Sequence, residues 1–154
     1  MPTDAEKRHE TQLALLSVIN CLIDSQKGYA EIGDRLKHDE LKRFFHAESL
    51  KRAQFRGELE EILHQNGLHD IKESGSTAGK LHRAWGDFKA KLGGGDHTLL
   101  TTAEQGEDEV KEVYAGVLKE DLPLPVRQLL VDQQLHILTA HGYVRGHRDA
   151  LAQR

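Results

Sequence analysis

Between Pro2 and Pro123 the chain contains no proline, and through most of that stretch apolar residues recur three and four positions apart. Proline removes a backbone donor and clashes with the preceding helical turn. Its absence over so long a run, combined with a period near 3.6, restricts the chain to helices. Alternation at a period of two is nowhere sustained, so an all-α domain is predicted.

The 154 residues suit one domain, taken as 1–154. Counting the 14 glycines with the apolar residues and leaving out the three tyrosines gives an apolar fraction of about 45%, ordinary for a chain that buries a core. Lys and Arg number 21 against 25 Asp and Glu, a net charge of −4 with the signs interleaved. No basic surface is offered to nucleic acid or to anionic lipid. The longest apolar runs are short, as in Leu13-Ala14-Leu15-Leu16, and the charged N-terminus has no cleavage site, so neither a membrane span nor a secretory signal is expected. Cys21 stands alone, which points to a reducing cytoplasm.

Four long helices can be placed. The first starts at Thr3, where Thr3 and Glu6 have capping-box spacing, and runs to about Lys37 on the stripe Leu13, Leu16, Asn20, Ile23, Lys27, Ala30. The second, about Asp39 to Asn66 with Gly67 as its stop, carries Leu41, Phe45, Glu48, Arg52, Phe55, Leu59 and Ile62 on one face. Residues 68 to 96 have glycine turns at both ends around Leu81, Trp85, Phe88 and Leu92, which predicts a crossover containing a short helix. The third helix, about His97 to Glu120, offers Leu100, Ala103, Glu107, Val110, Tyr114 and Val117. The fourth opens at Pro125 and offers Leu130, Gln134, Ile137, His141, Val144 and Arg148. Short turns near residues 38 and 122 make each neighbouring pair antiparallel, and the long middle connection makes the second and third helices parallel. That is the connectivity of a ferritin-like four-helix bundle.

Depth along the helices brings the polar interruptions together. Lys27, Glu48, Glu107 and His141 each lie about ten residues from the first-turn end, near one level at ~15 Å. Asp24 and Arg52 lie about one turn deeper and Glu31 one turn shallower. Buried acids need metal ions or internal pairing. A di-iron site of this fold wants a Glu from two helices and a Glu-x-x-His from each of the other two. Here Glu48 is followed by Lys51 and His141 is preceded by Leu138, and neither substitute is a ligand. The layer therefore reads as a salt-bridge network of Lys27, Glu48, Arg52, Glu107 and His141, with edge positions and a metal site as the alternatives. A metal site would draw on Glu48, Glu107 and His141, with Asp24 or Glu31, and would hold Fe or Mn.

Other signals carry less chemistry. The ten histidines form no His-Glu-x-x-His, and His136 and His141, five apart, face differently. Gly75 to Lys80 is one residue short of a phosphate loop and follows no strand. Ser76 or Thr77 is suited to cap the crossover helix, whose free amides could hold an anion. Glycines at 28, 33, 57, 106, 116, 142 and 146 fall inside predicted helices, which suggests close helix approaches or irregular turns.

The run Gly75-Ser76-x-x-Gly79-x-x-His82-Arg83-x-Trp85-x-x-x-Lys89, with Glu104-x-Gly106-Glu107-Asp108 and Tyr114, resembles an uncharacterised proteobacterial family of small ferritin-like four-helix-bundle proteins. Arg52, Phe55, Glu58 and Leu59 are similar to it as well. The resemblance implies the ferritin-like fold and carries no assigned activity. Three readings follow: a non-catalytic bundle acting through its surface or oligomeric state, a homodimer being one form open to it; a degenerate carboxylate metal-binding protein or oxidase; and a small-ligand site at the crossover built on His82, Arg83, Trp85 and Lys89.

Overall fold

A computed structural model of the chain describes residues 3–67 and 95–152. Four helices make up almost all of them: α1 (Asp4–Arg35), α2 (Asp39–Gln65), α3 (Asp96–Val117) and α4 (Leu124–Ala152). No strand occurs among the described residues. The predicted crossover helix lies outside them, as do Ser76 and Thr77.

Local chemistry sets the helix ends. The Thr3 hydroxyl accepts the amide of Glu6 at 3.1 Å and donates to the Glu6 carboxylate at 3.2 Å, so the acid closes on the hydroxyl rather than on the Thr3 amide. Past α2, Gly67 takes φ +90°, a left-handed value that costs glycine nothing, and its amide donates to the carbonyl of His64 at 3.1 Å. Arg127 ties down the α3–α4 turn by donating to the carbonyls of Leu118, at 2.8 Å, and Glu120.

Two contacts fix the helix directions. Asp96, at the start of α3, accepts the amides of Lys37 and His38 at 2.9 and 3.0 Å, which seats that start against the α1–α2 turn. Tyr143, late in α4, stacks on Phe44, early in α2, with ring centroids 4.0 Å apart. Therefore α2 and α3 run in one direction and α1 and α4 in the other. α1 packs on α2 and α3, α4 packs on α3, and side chains of α4 also meet α2. The core between them holds Leu15, Val18, Leu22, Tyr29, Phe45, Leu59, Leu100, Val110, Tyr114, Leu130 and Ile137.

The stripes of α2 and α3 lie on the buried side as expected, with Ile62 partly buried. On α1 the predicted stripe is displaced. Of its members Ile23 is buried and Leu16, Asn20 and Ala30 are partly buried, but Leu13 is 53% exposed and Lys27 is exposed, while Ala14, Leu15, Val18, Leu22, Ser25, Tyr29 and Ile32 line the core. The helix carries two apolar rows that share the same period, and periodicity alone does not say which row faces inward. On α4, Gln133 rather than Gln134 takes the buried place.

Of the helical glycines, Gly33 is a close approach. A Cβ there would stand 2.6 Å from the ring of His46, which lies across the α1–α2 contact and reaches Asp34 at 2.9 Å. Gly57, Gly116, Gly142 and Gly146 face open space.

Candidate functional site

Arg52 is the centre of the buried polar layer. It projects from α2 into the bundle and is fully buried. Its Nε donates to Glu48, one turn earlier on the same helix, at 2.8 Å. One terminal nitrogen donates to the Ser25 hydroxyl on α1 and to Glu107 Oε2 on α3, each at 2.8 Å; the other donates to Glu107 Oε1. Four of the five guanidinium donors are thereby used, in the planar fork that suits a carboxylate. Tyr29 lies beneath, its ring centroid 4.8 Å from the guanidinium carbon and its hydroxyl donating to Glu107 Oε1 at 2.9 Å.

The electrostatics follow from this geometry. Burial works against a charged Arg52, but Glu107, Tyr29 and Glu48 more than offset it and hold the guanidinium protonated. Burial and the adjacent Glu107 push the Tyr29 hydroxyl well above the usual phenol range, so it remains a donor. Both carboxylates are taken up by donors and neither presents an open edge to the interior. Glu48 also meets His136 of α4, whose Nε2 lies 2.9 and 3.0 Å from its two oxygens. An ionised carboxylate only accepts, so this nitrogen carries the proton. The His136 side chain is 36% exposed and links the buried acid to the surface.

A turn away, Tyr114 donates to Gln133 at 2.7 Å, and the Gln133 amide reaches the carbonyl of Phe55 at 3.3 Å. Burial pushes the Tyr114 hydroxyl up and likewise the Cys21 thiol, so neither is an activated nucleophile.

His141 belongs to a separate cluster between α3 and α4. Its Nδ1 is 3.5 Å from both Lys111 Nζ and a terminal nitrogen of Arg145. Cations only donate, so Nδ1 accepts and the proton sits on Nε2. That atom lies 3.2 Å from Asp108 and 3.8 Å from Glu104 without a well-formed hydrogen bond. Glu104 is held by Arg148 and, at 3.4 Å, by Arg145. Burial and Lys111 pull the His141 pKa below its ordinary 6.5, against the raising effect of Asp108.

The structure thus brings Arg52, Glu48 and Glu107 together and leaves the other members of the sequence-read layer elsewhere. Lys27 is exposed on the opposite side of α1, because the inward row of that helix is the other one. His141 pairs within its own cluster. Of the residues named for a metal, Glu31 is exposed, and Asp24 is buried near enough to Cys21 to act on its thiol. His82, Arg83, Trp85 and Lys89 lie outside the described residues. Sequence reasoning passed over Ser25, Tyr29 and His136. The first two stand four apart on the inward row of α1, and identifying that row would have found them. Among the described residues no group of three or more His, Cys, Asp or Glu side chains is arranged to hold a metal ion. No described helix is long and apolar enough to cross a membrane.

A family model described as "Domain of unknown function (DUF2383)" matches residues 10–120, which take in most of α1, all of α2 and α3, and the segment between. No curated protein matches the chain.

Proposed function

The chain belongs to the DUF2383 family, and we propose that it is a bacterial, cytoplasmic, ferritin-like bundle that works as a binding or structural protein, with a guanidinium where relatives of that fold class place a metal pair. The observation that carries this reading is the two-pronged Arg52–Glu107 pair with Glu48 on the third side. Metal-bridging carboxylates need free lone pairs directed at one point. Here those lone pairs are directed at a cation that is covalently part of the chain and cannot be deprotonated. A divalent ion at the same point would meet that positive charge within a few ångströms, in a medium where repulsion is weakly screened. The parallel run of α2 and α3, which requires one long connection between them, supports the ferritin-like assignment.

The test is metal analysis of protein purified without an affinity tag, after separate anaerobic incubation with Fe(II) and Mn(II). Metal well below one equivalent is expected for the wild type and for Glu107→Ala alike. One or more equivalents in the wild type, lost in Glu107→Ala, would overturn the proposal.

A further inference from the structure

We draw no further inference here: the strongest candidate, the exposed apolar row Leu124, Val131, Leu135 and Leu138 on α4, carries nothing, because nothing in the structure shows what covers it.

Discussion

Arg52 on α2 and Glu107 on α3 meet through two parallel hydrogen bonds in the bundle interior, between helices that face each other across the core rather than side by side. With Glu48 on the Nε side, the layer holds two carboxylates and one guanidinium. That is one negative charge in excess, moderated by the Tyr29 hydroxyl and the His136 ring. A pair of this kind ties the fold to its own completeness: either partner alone is a stranded buried charge.

Arg52→Met keeps the volume and removes the cation. Breaking a buried pair typically costs about 3–5 kcal/mol, and urea denaturation at pH 8 should show a loss of that size. Protonating the stranded acids removes the buried charge, and the folded mutant takes up those protons more readily than its unfolded chain. Its stability should therefore rise as the pH falls from 8 to 5, narrowing the gap to the wild type. A mutant as stable as the wild type at both pH values would refute the pairing.

Tyr29→Phe and Tyr114→Phe compare a charged and a neutral acceptor without opening a cavity. Tyr29 donates to the Glu107 carboxylate and Tyr114 to the Gln133 amide. Hydrogen bonds to charged groups contribute about 1.5–3 kcal/mol and neutral ones about 0.5–1.5 kcal/mol. Chemical denaturation should rank Tyr29→Phe as the more damaging substitution.

The helices are legible because proline is missing where it would break them and present where a turn is wanted, and because the stripes of α2 and α3 each have one candidate inward face. The inward face of α1 is not legible, since Leu13, Leu16 and Ile23 make as good a row as Leu15, Val18 and Leu22. That ambiguity propagates to the site. Lys27 sits on the wrong row and is exposed, while Ser25 and Tyr29 sit on the right one and touch Arg52 and Glu107. The Glu48–Arg52 contact is legible because a spacing of four puts both on one helix face whatever the helix packs against. His136 is hidden for a different reason. Its role depends on the rotation of α4 about its own axis, which the shift from Gln134 to Gln133 shows the stripe alone does not define.

Cys21 should be silent in the folded protein. It is buried in the α1 core, and burial raises its thiol so that almost no thiolate forms near neutral pH. A thiol-reactive chromogenic disulfide should label it only after denaturant is added, with one equivalent released. Rapid labelling of the native protein would place Cys21 outside the core.

Glycines at open and constrained positions should respond with opposite signs. A Cβ at Gly57, inside α2, meets nothing within 4 Å, so Gly57→Ala should stabilise by about 0.5–1 kcal/mol through helix propensity. At Gly67 the left-handed φ of +90° penalises any side chain, and Gly67→Ala should destabilise by about 1 kcal/mol. Thermal melts of the two variants, one shifted up and one down, check both.

His141 should make the α3–α4 contact sensitive to acid. Its folded-state pKa is lowered by burial and by Lys111, with Arg145 adding to the effect and Asp108 and Glu104 opposing it. Arg148 keeps Glu104 engaged on its other side. A depressed folded pKa means the native state binds fewer protons than the unfolded chain at pH values between the two pKa values. The stabilisation is therefore complete above the ordinary value of 6.5 and is lost as the pH falls below it toward the folded value. Protonation would put a third positive charge beside Lys111 and Arg145. His141→Gln keeps a neutral polar side chain and cannot titrate. Relative to the wild type, this variant should show a smaller loss of denaturation free energy between pH 7 and pH 5, whatever its stability at pH 7. Equal slopes for the two proteins over that interval would show that His141 charges as freely folded as unfolded.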